Sequence, residues 1–171
     1  MQRRQVTGLF CEDIRSEKSG AFSLVGIMPD NANIGVAPTS EKRGMFPKLC
    51  VYMRAQFDIS DQVKTISMSM QLPDGNVLDM GPISADLISK SFAGAKKKGN
   101  PLAIIVLRAE FQAFPIISLG KMLLHAHIDG ESYIAAQLNL VSSQDEEENP
   151  IAEETRQFTH TIAAQPISPT S

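Results

Sequence analysis

A strict alternation of apolar and polar residues over residues 48–57 constrains the fold of this chain more than any other feature. From Leu49 to Phe57 every second residue is apolar. Successive side chains of a β-strand point to opposite faces, so a period of two indicates a strand with one buried face. Residues 65–72 repeat the pattern, with apolar residues at every even position. The two segments therefore predict a sheet with one buried side.

Other segments predict further strands and their turns. Gly20 ends a turn-rich stretch and Asp129-Gly130 is a hairpin signal, because both sequences suit a left-handed backbone conformation. Residues 102–111 begin with apolar residues on both faces, which predicts a central strand buried on both sides. The remaining predicted strands are residues 6–14, 21–28, 77–80, 121–129 and 133–141.

One segment, residues 85–98, breaks the β rhythm. Its apolar residues recur at helical spacing, Ser84 suits the N-cap, and lysines close the segment before Gly99. The sequence therefore predicts a mostly β fold with one short helix, arranged as an antiparallel β-sandwich of immunoglobulin-like or C2-like type. Residues 1–141 form the predicted sandwich domain, and residues 142–171 form an acidic tail containing Ser and Pro.

Composition and charge disfavour several functional classes. The chain has 43% hydrophobic and 20% charged residues with a net charge of −3, so nothing in its overall balance attracts nucleic acid. No apolar run approaches the ~18 residues of a membrane span, and residues 1–11 lack the apolar core of a secretion signal. We therefore expect a cytoplasmic protein. Cys11 and Cys50 form no metal or redox motif, and no cofactor is predicted.

His125 and His127 are the candidate metal-binding residues. Two histidines two positions apart share one face of a strand, and Asp129 continues that face. A metal-dependent hydrolase using His125 and His127 is therefore one functional hypothesis, with His160 as a possible further ligand. The alternative is that these side chains form the solvent-facing side of a strand whose other side is buried.

Asp13, Arg15 and Glu17 form the candidate binding surface. Alternation along a strand places the three charged side chains on one face. Two carboxylates with an arginine suit acid–base chemistry or ligand binding, but the same pattern describes an ion-pair ladder on a sheet surface. We assign none of them a catalytic role.

Short motifs also resemble a bacterial and phage-associated domain family of unknown function. The resemblance covers about residues 6–141 and implies a shared fold and a bacterial or phage source, but no activity. The segments that carry it are residues 10–17, 23–27, 46–49, 72–75, 99–101 and 138–140.

The sequence favours a non-catalytic binding or structural module over an enzyme. It contains no glycine-rich phosphate loop, nucleophile elbow or paired Cys-x-x-Cys motif. An exposed sheet edge, the long connection over residues 29–47 or the acidic tail would engage another protein or a second copy of the chain. Nucleic acid is the disfavoured partner, because Lys96, Lys97 and Lys98 complement a helix end.

Overall fold

The computed structural model describes residues 4–35, 37–39 and 43–142. The predicted tail, residues 142–171, lies outside this part except for Ser142, which is buried. The elements of the described residues are β1 (Gln5–Ser16), β2 (Phe22–Ile27), β3 (Asn31–Asn33), β4 (Gly44–Asp58), β5 (Ile66–Gln71), β6 (Val77–Pro82), α1 (Ala85–Lys97), β7 (Leu102–Ile116), β8 (Gly120–Ile128) and β9 (Glu131–Val141).

The strands form two sheets, with the orders β2-β1-β4-β7 and β3-β9-β8-β5-β6. The prediction of a mostly β fold with one short helix is confirmed. The five-stranded sheet is mixed rather than purely antiparallel, because β3 pairs in parallel with β9 through Asn31 and Asn139. Strand β3 lies within the connection predicted over residues 29–47, where three residues are too few to show a periodic pattern.

The core lies between the inward faces of the two sheets. The four-stranded sheet contributes the odd-numbered residues of β4 from Leu49 to Phe57, including Met53, and the five-stranded sheet contributes Met68, Met70 and Leu124. All of these are at most 2% exposed. The alternation that predicted β4, β5 and β8 therefore reports which side of each strand faces the core.

The β1–β2 hairpin folds across the outer face of the four-stranded sheet. The pairing of β1 with β4 ends at Cys11 and Cys50. Beyond this point the Ile14 side chain packs against both cysteines. The Phe22 ring then contacts Tyr52 edge-on, with centroids 6.3 Å apart. The hairpin buries both cysteines completely, as expected for small apolar side chains.

Strand β7 is the edge strand of its sheet, so the prediction of a central strand buried on both faces was wrong. Its odd-numbered residues before Arg108 face the core, but Leu102, Ile104 and Val106 on the outer face are 37%, 44% and 36% exposed. An exposed aliphatic row and a second buried face look alike in a sequence, which is why periodicity did not separate them.

Helix α1 packs against β7 and covers one end of the core. Its first turn is capped by Ser84, whose hydroxyl accepts a hydrogen bond from the Leu87 N–H at 3.4 Å. Ile88 is buried, and the Phe92 ring lies 5.9 Å from that of Phe57. Lys96 and Lys97 occupy the last turn, as predicted. No helix among the described residues is long and apolar enough to cross a membrane.

Candidate functional site

The two predicted histidines lie in a shallow groove on the outer face of the five-stranded sheet. The groove has a volume of about 320 Å³ and is lined by residues of β5, β6, β8 and β9. The rings of His125 and His127 stack at 11°, with centroids 6.2 Å apart. His127 Nε2 lies 2.8 Å from the Ser69 hydroxyl on the neighbouring strand. The prediction that the histidines share the outward face of β8 is confirmed by the burial of Met122 and Leu124 on the other side.

The environment of His125 favours its neutral form. Burial lowers the pKa of His125, and the neighbouring His127 lowers it further. The neutral imidazole is the form that binds metals and accepts hydrogen bonds. The groove therefore presents the neutral imidazole of His125 beside that of His127, which is hydrogen-bonded to Ser69.

Asp129 does not join the histidines as a metal ligand, contrary to the expectation that it continues their face. Its backbone turns left-handed at φ 51°, and its carboxylate accepts the backbone N–H groups of Lys64 and Thr65. Within the described residues no group of three or more His, Cys, Asp or Glu side chains could hold a metal ion. His160, the further ligand considered from the sequence, lies outside those residues.

The contact between Ser69 and His127 pairs a hydroxyl with a base, a relationship that also occurs in hydrolases. Ser69, however, is only 5% exposed and lies in β5, which is hydrogen-bonded to β6 on one side and β8 on the other. The nearby Asp79 carboxylate accepts the Gly81 N–H. The arrangement suits a structural hydrogen bond.

The predicted binding surface is one part of a surface ion-pair network. Asp13 Oδ2 lies 3.0 Å from Arg15 Nε, and Asp13 also binds Lys48, whose ammonium lies 3.0 Å from Glu110 Oε2. Glu17 does not belong to this network, since its carboxylate accepts a hydrogen bond from the Ser23 hydroxyl at 2.6 Å.

The network holds its charged groups in pairs of opposite sign. Lys48 and then Arg15 lower the pKa of Asp13, while Asp13 and then Glu110 raise the pKa of Lys48. Lys48 of β4 therefore pairs with carboxylates on both adjoining strands, while Arg15 pairs with Asp13 on its own strand. Such a ladder orients the β1–β2 hairpin over β4 and β7.

Cys11 and Cys50 are not suited to nucleophilic chemistry. Burial raises the pKa of the Cys11 thiol to about 11, and the neighbouring Cys50 raises it as well. Burial also raises the pKa of Cys50. Both residues therefore stay protonated near neutral pH, where the thiolate is the reactive species.

A groove between α1 and the outer face of β7 was not predicted from the sequence. It has a volume of about 280 Å³, and its walls include Lys90 and Lys98 of the helix side and Leu102 and Ile104 of β7. Gly94 faces open space here, with no atom within 4 Å of the position that a Cβ would occupy. The available signal was the run of apolar residues at the start of β7, which was interpreted as a second buried face.

Comparisons with known proteins identify no family for this chain. No family model and no curated protein matches it. One solved structure is similar, the Pseudomonas fluorescens alkylpurine DNA glycosylase AlkC bound to DNA containing an abasic site analog. It shares 13% identity with a TM-score of 0.40, over 80% of this chain and 30% of that chain. The present chain thus spans less than a third of the length of that protein, and a likeness of this degree carries no functional argument.

Proposed function

We propose that this chain is a non-catalytic protein-binding module, of bacterial or phage origin, that contacts its partner through the outer face of β7 and the adjoining side of α1. The origin rests on the sequence resemblance alone. The binding role rests on one observation, the exposed aliphatic row of Leu102, Ile104 and Val106. Alternate residues of a strand lie about 7 Å apart on one face, so the row is a continuous apolar strip.

An apolar strip of this kind costs free energy when it faces water, and it is typical of surfaces that bind other proteins. Strand β7 has β4 on one side and no strand on the other. Leu102 and Ile104 of the strip therefore also line the groove beside α1. A partner segment lying in the groove would bury the strip and contact the lysines at the same time. The metal-dependent hydrolase using His125 and His127 stays a prediction, and no contact of the described residues favours it over the binding role.

Site-specific photo-crosslinking tests the binding role. A photoreactive amino acid replaces Ile104 in one protein and Val77 in a matched control, since Val77 is an exposed aliphatic residue on the edge strand of the other sheet. We expect polypeptide adducts at position 104, in purified protein or in a bacterial extract, that are absent at position 77. The adducts should disappear in a Leu102→Lys/Val106→Lys background of unchanged melting temperature. Equal labelling at both positions, or none at position 104, would rule out this surface.

A further inference from the structure

The α1–β7 groove combines an aliphatic floor with cationic edges. Lys90 and Lys98 border one side, and Arg54 lies next to Val106 in the register of β4 and β7. The nearest acidic residue in that register is Asp58, opposite Leu102, so three cations outnumber one carboxylate around the groove. The chemistry complementary to the groove is therefore an acidic polypeptide segment that also carries an aliphatic side chain.

The chain itself contains a segment with this chemistry. Residues 145–148 read Asp-Glu-Glu-Glu, and Pro150 and Ile151 follow directly. We propose that the groove binds this acidic segment of a second copy of the chain, with the carboxylates on the lysines and Ile151 on the aliphatic row. This proposal rests on the proposed function, because it uses the same surface and names its partner.

The length of the chain after β9 explains why the partner is a second copy. Glu131, at the start of β9, lies 3.6 Å from Arg4, which also binds Asp61 just beyond the end of β4. The groove lies at this same end, since Leu102 pairs with Asp58. Val141 lies at the opposite end of β9, and the 11 residues of that strand span about 35 Å.

The acidic run begins too soon to return along the same molecule. Residues 145–148 stand three to six positions after Ser142, so even a fully extended chain carries them no further than about 21 Å. The groove at the far end is beyond this reach. Two copies related by a two-fold axis would instead each supply the acidic run to the other, which forms a closed dimer.

Charge reversal in the full-length chain tests the proposal by light scattering coupled to size exclusion. We expect the wild type to have twice the monomer mass of 18.6 kDa at low salt. Lys90→Glu/Lys98→Glu should weaken the dimer by at least about tenfold in dissociation constant. Reversing residues 145–148 to lysine should do the same, and combining both changes should restore the dimer. The control, Lys18→Glu/Lys121→Glu, makes the same charge change at exposed lysines elsewhere and should leave the mass unchanged.

Each result separates this proposal from the proposed function. Restoration of the dimer by the combined variant supports the pairing directly. A monomeric wild type, or a dimer insensitive to both reversals, overturns it. If adducts at position 104 then join the chain to a different polypeptide, the binding role stands with another partner. Binding of a labelled single-stranded oligonucleotide, lost in Lys90→Glu/Lys98→Glu, would overturn both.

Discussion

The Arg4 guanidinium and the Asp61 carboxylate form a largely buried ion pair, with Nε and Oδ2 2.9 Å apart. The Asp61 side chain is 2% exposed and that of Arg4 is 18% exposed. Arg4 also binds Asp129 Oδ2 at 3.0 Å. Arg4, the residue before β1, thus links the start of β1 to the loop after β4 and to the turn after β8.

Replacing Arg4 should therefore destabilise the protein much more than replacing an arginine at the surface. Arg4→Ala leaves the Asp61 carboxylate buried without its cation, which should lower the free energy of unfolding by about 3 kcal/mol. Arg15→Ala breaks the 3.0 Å contact with Asp13, but the Arg15 side chain is 65% exposed, so about 1 kcal/mol or less is expected. Urea unfolding of both variants checks the difference. Equal losses would mean that the buried pair contributes no more than a surface pair.

Asp129 should make the stability of the protein sensitive to acid. Burial opposes its ionisation, but the N–H groups of Thr65 and Lys64 and the Arg4 charge outweigh this effect and lower the pKa of Asp129. A carboxyl group with a lowered pKa stabilises the fold above its unfolded pKa of about 4 and loses this contribution as the pH falls through the folded value.

Asp129→Asn should remove part of that pH dependence without changing the turn. Asparagine tolerates the left-handed backbone at φ 51°, and Asn-Gly suits the same hairpin turn as Asp-Gly. Unfolding free energies measured between about pH 6 and pH 2.5 should fall less steeply in Asp129→Asn than in the wild type. Parallel curves would show that Asp129 titrates with the same pKa in the folded and unfolded chains.

The elements that could be predicted from the sequence are those marked by a pattern within their own residues. Period-two alternation located β4, β5 and β8, and local turn and capping chemistry located the turn at Asp129-Gly130 and the start of α1 at Ser84. These features depend on residues within a few positions of each other. Patterns of that range can be recognised without any knowledge of which strands are neighbours.

The contacts that the sequence did not predict join residues far apart in the chain. Ser69 and His127 are separated by 58 positions and Arg4 and Asp129 by 125, so only the sheet order brings them together. Asp13 was assigned to one face with Arg15, but its second partner is Lys48 on another strand. The α1–β7 groove was missed for the same reason, since an aliphatic row shows no sign of being at an edge.

Substitution of Met68 tests which face of β5 packs in the core. The side chain is 2% exposed within the core, so Met68→Asp buries a carboxyl group with no partner and should cost about 4 kcal/mol or prevent folding. Met45→Asp is the matched control, because Met45 is 59% exposed. Circular dichroism and thermal unfolding compare the two variants. A normally stable Met68→Asp protein would show that β5 packs with its other face inward.

Metal analysis of the purified protein tests whether His125 and His127 bind a metal ion. His125 and His127 offer two imidazoles, whereas a catalytic zinc site uses three protein ligands and a water. We therefore expect less than about 0.1 equivalent of zinc or manganese to remain after dialysis, with the same value in a His125→Ala/His127→Ala variant. One equivalent of metal in the wild type, lost in that variant, would establish a metal site and favour the hydrolase over the binding module. His127→Ala alone should raise the pKa of His125 in an NMR titration, since it removes some of the burial that lowers this pKa and also the neighbouring ring that lowers it further.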